Sequence, residues 1–172
     1  MKNLAFVSLG LLILISAACM TSSRPVAMAT LSPTSGSNAH GTVKLTQLAS
    51  GGVQLQIDLM GVPPGTHGFH IHEKGDCGDN GNAAGGHFNP TAMQHGAPDM
   101  TPHHAGDFGN VTADANGNVH ATVTTQSITL SAGDASAIGH AFILHGGTDD
   151  LKTQPSGNSG PRIACGVVTL QQ

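Results

Sequence analysis

The 172-residue sequence contains no tryptophan and no tyrosine, and charged residues make up only 9% of it. With five phenylalanines beside 24 glycines, its core must come from valine, isoleucine and leucine on tightly turned strands. An amphipathic helix of useful length is also missing. Short strand patterns separated by turn residues therefore predict an all-β fold, a Greek-key flattened barrel or sandwich of about eight antiparallel strands.

Long hydrophobic runs are scarce as well, because the sequence has one over residues 4–18 and no second. This run is closed by small residues and Cys19, which is typical of a signal peptide over residues 1–19. It is too short to cross a bilayer, for which about 20 apolar residues are needed. The residues before Cys19 resemble a bacterial lipoprotein signal, with Ser16 where leucine is usual, and predict a membrane tether through lipidated Cys19. Ordinary cleavage at small residues such as 27–29 would instead leave a freely soluble protein.

The stretch over residues 20–38 is rich in serine, threonine, proline and alanine and has no apolar periodicity. It is predicted to be a flexible tether, which leaves one domain over residues 39–172. Both forms of the N-terminus imply export, so we expect the protein in the periplasm, either free or anchored to a membrane.

Cysteine usage agrees with export, because Cys77 and Cys165 remain as an even pair once Cys19 is assigned to the signal. A long-range disulfide between them would stabilise the fold by roughly 4 to 5 kcal/mol and would persist only in an oxidising compartment. Two buried thiols are the alternative.

Alternation of apolar and polar residues identifies individual strands at 53–60 and 119–124. Further strands are predicted at 40–48, 66–72, 128–130, 140–145 and 163–170. Two connections, 73–115 and 146–162, are too long for tight turns and contain most of the histidine, aspartate and cysteine residues. Such loops need something to fix them, and a metal ion or a disulfide is the expected means.

Seven residues of these loops and strands are candidate metal ligands, namely His70, His72, His87, His95, His104, Asp107 and His145. His70 and His72 are two residues apart on a predicted strand, so both rings point to one face. Imidazole-rich sites with one carboxylate suit copper and zinc. A structural zinc takes four ligands, a number that residues 87–107 offer. Copper(II) favours tetragonal nitrogen ligation, and His87 could serve both metals.

The other histidines receive simpler interpretations. His40 and His120 share strand faces with polar residues and are predicted to be exposed. His67 has the parity opposite to the ligands, which favours a hydrogen-bonded structural histidine. His103 and His140 are excluded as ligands, His140 because an odd spacing from the strand end predicts that it lies on the other strand face.

Taken in order, the motifs resemble the copper/zinc superoxide dismutase family over nearly the whole domain. The matching segments are 68–73 (GFHIHE), 86–90 (GHFNP), 95–96 (HG), 104–110 (HAGDFGN), His145, 149–151 (DDL) and 160–167 (GPRIACGV). The resemblance implies the same β architecture. It also implies dismutation of superoxide to oxygen and hydrogen peroxide, with one redox-cycling copper and one structural zinc per subunit.

The resemblance also implies a role for each site residue. Copper would be bound by His70, His72, His87 and His145, and zinc by His87, His95, His104 and Asp107. His87 would be a bridging imidazolate that carries a proton, and Arg162 would hold the anion beside copper, which makes these two the implied catalytic residues. Cys77 and Cys165 match the family disulfide. Asp149 matches an aspartate that links ligands of the two metals.

The formal net charge of −4 should repel an anionic substrate if it were evenly spread. Lys74, Lys152 and Arg162 lie in or beside the metal-bearing loops, however, and predict a local positive funnel for superoxide. No nucleic acid partner is expected, and both a monomer and a homodimer fit the sequence. Residues 146–162 lack the acidic and lysine cluster of eukaryotic members, which favours a bacterial type.

Three alternatives remain beside a copper/zinc dismutase. A noncatalytic periplasmic copper- and zinc-binding protein would use the same histidines, but would have no use for Arg162 at the copper. An immunoglobulin-like adhesion domain would explain the strands and the cysteine pair but not the ordered histidines. A copper-only dismutase is disfavoured, because His95, His104 and Asp107 are all present.

Overall fold

The computed structural model describes residues 24–34 and 36–172. The predicted signal peptide and Cys19 lie outside the described residues. Within them the strands are β1 (Val26–Pro33), β2 (His40–Gln47), β3 (Val53–Met60), β4 (Gly65–His72), β5 (Asp107–Ala113), β6 (Val119–Thr125), β7 (Ala141–His145), β8 (Arg162–Val167) and β9 (Thr169–Leu170). A short 3₁₀ helix, Asp79–Ala84, is the one helix in this part of the chain, and no helix there is long and apolar enough to cross a membrane.

Eight of these strands follow one another in a single antiparallel sheet, in the order β5-β4-β7-β8-β1-β2-β3-β6, while β9 pairs with β1. The two outermost strands, β5 and β6, lie beside each other, so the sheet nearly closes into a barrel. From β3 to β4, and again from β6 to β7, the chain crosses to a strand that is not adjacent, which is the Greek-key pattern. The predicted all-β Greek-key fold is confirmed.

Aliphatic side chains fill the barrel, as the composition predicts, and they are joined by phenylalanines that the composition did not predict there. In β3, Val53, Leu55 and Ile57 are at most 1% exposed, and the residues between them face outward. Phe69 of β4 stacks on Phe142 of β7, with ring centroids 4.9 Å apart. Burying one such side chain contributes about 1.5 to 3 kcal/mol. Because β4 turns Phe69 into the core, the alternate residues of this strand point out of the barrel.

The predicted tether over 20–38 is wrong for the residues that form β1. This strand pairs with β2 along six residues and buries Ala27, Ala29 and Leu31. The pattern is weak in the sequence because two of the inward residues are small and the apolar Met28 lies between them. The folded domain therefore includes β1, which lies before residue 39. Cleavage at the two buried alanines, the alternative processing of the N-terminus, would remove part of this strand.

The two long connections are present but shorter than predicted. Strand β5 occupies the end of the predicted connection 73–115, where Gly109 with a φ of +68° breaks the alternation. The loops therefore cover 73–106, here called the first loop, and 146–161, the second loop. The predicted strand 128–130 is wrong, because it forms only an isolated bridge.

The predicted disulfide between Cys77 and Cys165 is present, with Cα atoms 5.7 Å apart and a sequence separation of 88 residues. It joins the first loop to β8. In the chain-entropy model a loop of this order is worth roughly 4 to 5 kcal/mol. The bond therefore fixes the first loop next to the strand that Arg162 begins.

Candidate metal centre

Four histidines meet beneath the two loops at the edge of the barrel. His70 and His72 lie on β4, His145 ends β7, and His87 of the first loop pairs with His72 through an isolated β-bridge. Each is at most 7% exposed, and one ring nitrogen from each lies within 4.8 Å of the others. This group is called the histidine cluster below.

Hydrogen bonds decide which ring nitrogens of this cluster are free. The Nδ1 atoms of His72 and His145 donate to backbone carbonyl oxygens at 2.9 and 3.2 Å, and their Nε2 atoms lie 3.3 Å apart. The Nε2 atom of His70 donates to Asp149 at 2.8 Å, which leaves its Nδ1 without a partner. Each ring is thus held by one nitrogen while the other points towards the cluster, as in metal-binding histidines.

A carboxylate joins three rings in the second group. Asp107, the first residue of β5, places Oδ1 2.7 Å from Nδ1 of His87 and 3.3 Å from Nδ1 of His104. Its Oδ2 lies 3.1 Å from Nδ1 of His95 and accepts the backbone N–H of His104 at 2.8 Å. These four residues, here called the aspartate cluster, are buried and also place their ligand atoms within 4.8 Å of one another.

The chemistry of both clusters fits metal ions. Four buried ring nitrogens have no hydrogen-bond partner: Nδ1 of His70, Nε2 of His87, Nδ1 of His95 and Nδ1 of His104. An unsatisfied buried polar atom costs about 1 to 3 kcal/mol, which a bound cation would remove. Four nitrogens suit copper, and three nitrogens with one carboxylate suit zinc. His87 belongs to both clusters.

Asp149 of the second loop connects the clusters from behind. Its carboxylate accepts from Nε2 of His70 at 2.8 Å and from Nε2 of His95 at 3.0 Å. The side chain of Asn110 accepts the backbone N–H of Asp149 at 2.8 Å and donates to its carbonyl at 2.9 Å. One carboxylate therefore contacts a ring in each cluster, which is the arrangement that the family resemblance implies for Asp149.

Burial and hydrogen bonding set the charges of the site. Burial lowers the pKa of His145 to about 3, and it lowers the pKa of His87 to about 4 against the opposing bond to Asp107. Burial also raises the pKa of Asp107, but the close approach of three imidazole rings holds it well below its usual range. Burial lowers the pKa of His95 too, but the nearby carboxylates of Asp107 and Asp149 outweigh this effect and raise it to about 9. Neutral rings beside an ionised carboxylate are the ligand forms of these groups, and a metal would have to displace a proton from His95.

A cleft of about 930 Å³ opens onto the histidine cluster, and Arg162 lines it. The guanidinium donates from Nη1 to the carbonyl of Gly81 at 2.5 Å and from Nη2 to that of Gly85 at 2.6 Å. Both carbonyls belong to the part of the first loop that the disulfide ties to β8. The loop thus holds a permanent cation at the mouth of the cluster.

The structure brings together every residue that the sequence predicted for the site. Of the remaining histidines, His67 is buried and lies within hydrogen-bond distance of the carbonyls of Pro63 and His145, so its structural interpretation is confirmed. His103 joins neither cluster. His140 also joins neither cluster, but the strand-face argument for it is wrong, because this residue precedes β7, where strand parity does not apply, and it lines the cleft.

Gly157 packs against the bond between Asp149 and His95, and we expect Gly157→Ala to weaken metal binding at the aspartate cluster. A Cβ atom there would overlap Oδ1 of Asp149 and lie 2.7 Å from Nε2 of His95. Displacing such a supporting carboxylate typically costs about 10- to 100-fold in metal affinity. Competition with a chelator for Zn²⁺ measures the change. Gly133→Ala is the matched control, because a Cβ at Gly133 meets nothing within 4 Å. Equal zinc affinities of the two variants would contradict the prediction.

Comparison with known proteins agrees with this geometry. Residues 39–168 match the family model described as copper/zinc superoxide dismutase, and this range contains every residue of both clusters. The chain is also similar to the crystal structure of the clock protein EA4, with 37% sequence identity, a TM-score of 0.79, and coverage of 87% of this chain and 97% of that chain. The chain therefore belongs to the copper/zinc superoxide dismutase family.

Proposed function

We propose that the protein dismutes superoxide, with copper in the histidine cluster and zinc in the aspartate cluster. The observation that carries this proposal is the position of His87, which belongs to both clusters: its Nδ1 lies 2.7 Å from Asp107, and its Nε2 has no hydrogen-bond partner. A ring shared in this way lets one residue act at two metals. Membership of the family supports the proposal. The similar structure is named as a clock protein and not as an enzyme, so superoxide dismutase activity has to be measured for this chain.

Copper bound by four nitrogens would supply one-electron redox chemistry, which oxidises one superoxide to oxygen and reduces a second to hydrogen peroxide. This reduction takes up two protons for each hydrogen peroxide: His87 can deliver one of them, and the other comes from solvent in the open cleft. The Nε2 atom of His87 can take up a proton and return it to the reduced anion, because Asp107 holds the ring by the opposite nitrogen. Burial favours the neutral ring by lowering its pKa to about 4, which promotes release of that proton.

Arg162 binds the incoming anion. Its bonds to Gly81 and Gly85 use two of the five N–H donors of the guanidinium. The charge lies close enough to the histidine cluster to add to the effect of burial in lowering the pKa of His72 and of His145. A fixed cation with planar donors is suited to holding a small anion next to the cluster.

We also propose export to the periplasm, which the disulfide supports because such bonds persist in oxidising compartments. If Cys19 carries lipid, only residues 20–25 separate it from β1. At about 3.5 Å per residue, this segment would hold the barrel within roughly 20 Å of the membrane.

The decisive test is superoxide consumption by the purified protein in three states: loaded with copper and zinc, loaded with zinc alone, and free of metal. We expect fast consumption only in the first state, with a second-order rate constant approaching the diffusional limit of about 10⁸ to 10⁹ M⁻¹s⁻¹. Two bound metals without turnover would instead favour a noncatalytic copper- and zinc-binding protein.

A further inference from the structure

Gln154 of the second loop binds the backbone of His95 in the first loop at both polar atoms. Its Oε1 accepts the N–H of His95 at 2.8 Å, and its Nε2 donates to the carbonyl of His95 at 2.8 Å. In the part of the chain that the structure describes, His95 lies outside every strand and is only 3% exposed. Buried backbone groups need hydrogen-bond partners. Because no strand pairs with His95, the side chain of Gln154 supplies the two hydrogen bonds that a neighbouring strand would make.

The same loop also holds the ring of His95. Asp149 accepts from Nε2 of His95 at 3.0 Å, while Nδ1 of that ring lies 3.1 Å from Asp107. Gln154 therefore fixes the backbone from which the ring extends, and Asp149 fixes the far side of the ring. With both ends held, the candidate ligand nitrogen loses the freedom to turn away from the aspartate cluster.

The residues that follow Gln154 form part of the wall of the cleft. Pro155 and Ser156 line it together with Arg162. Because Pro155 follows Gln154 directly in the chain, the two hydrogen bonds to His95 also fix the position of this side of the cleft. One side chain thus connects the aspartate cluster to the opening of the histidine cluster.

We infer that Gln154 is a positioning residue that retains zinc in the aspartate cluster by fixing His95. The inference rests on the proposed function, since it requires zinc at that cluster. Gln154→Met removes both hydrogen bonds while keeping the length of the side chain. Gln56→Met on β3, where the glutamine is exposed, is the matched control.

The experiment measures Zn²⁺ release from the copper-free protein to a chromogenic chelator. We expect release about tenfold faster from Gln154→Met than from the parent, as for other partners of metal ligands, and no change in Gln56→Met. Visible spectra of the Co²⁺-loaded protein should also change in Gln154→Met, because they report ligand geometry. The thermal midpoint should fall more in the zinc-loaded than in the metal-free protein.

Unchanged zinc release and an unchanged cobalt spectrum, with equal loss of midpoint in both states, would overturn the inference and leave Gln154 a structural residue only. Failure of the parent itself to bind zinc at the aspartate cluster would overturn the proposed function together with the inference. The parent measurement therefore separates the two failures.

Discussion

Replacing His145 by alanine is expected to lower the rate of superoxide consumption by more than about a hundredfold, because removing even an outer partner of a ligand costs about 10- to 100-fold. His145 ends β7, and its Nε2 lies 3.3 Å from Nε2 of His72. Its loss leaves the histidine cluster with three ring nitrogens, whereas copper(II) favours four in a tetragonal arrangement. The measurement is the second-order rate constant, together with the copper content of the protein and its electron paramagnetic resonance spectrum.

His120→Ala is the matched control, since it removes a histidine from the outside of the barrel. His120 is exposed on β6 and bonds to the exposed Asp58 at 2.8 Å. We expect this variant to keep the activity and the copper spectrum of the parent. Parental activity in His145→Ala would contradict the assignment of copper to the histidine cluster.

The sequence predicts a strand well when its alternation is complete. The boundaries of β3 are predicted correctly because apolar and polar residues alternate along its whole length. Strand β1 is not predicted because Ala27 and Ala29 bury little apolar surface, although both are fully buried in the barrel. Strand β5 is not predicted because Gly109 interrupts the alternation of apolar and polar residues. In both strands pairing with neighbours far along the chain determines the structure, and local composition does not report that pairing.

Candidate ligands are predicted better than the residues that hold them. The side chains of both clusters are chemically distinctive, so residue type and order are sufficient to collect them. Gln154 carries no such signal, because it is an exposed glutamine in a loop and its partner His95 lies 59 positions away. The position of His140 at the cleft is likewise not predictable from residue type, since it depends on the residue at which β7 begins.

Electrostatic guidance explains how a protein with a formal net charge of −4 could attract an anion. Lys74 and Lys152 are exposed on the two loops, and Arg162 lines the cleft. Glu73 also lines the cleft, but three cations at or beside it against this one carboxylate leave a local excess of positive charge, which focuses the field whatever the overall charge. The contribution of these cations should fall as salt screens them, with a Debye length of about 10 Å at about 0.1 M.

Arg162→Ala is expected to reduce the rate constant for superoxide by about tenfold, the lower end of the effect of a focused field on association. The rate of the variant should also depend less on ionic strength than that of the parent. Arg162→Lys should fall between them, because an ammonium keeps the charge but lacks the fork that spans the carbonyls of Gly81 and Gly85. Rate constants at several salt concentrations, with copper content measured in parallel, separate anion guidance from metal loss.

Lys44→Ala provides the control for removal of a positive charge, because Lys44 is exposed on β2, away from the cleft. It changes the net charge by the same amount as Arg162→Ala, so a response to net charge alone would lower both rates equally. A response confined to Arg162→Ala means that the position of the cation decides the rate. Unchanged rates and salt dependence in Arg162→Ala, with copper still bound, would rule out a role for the arginine in binding the anion.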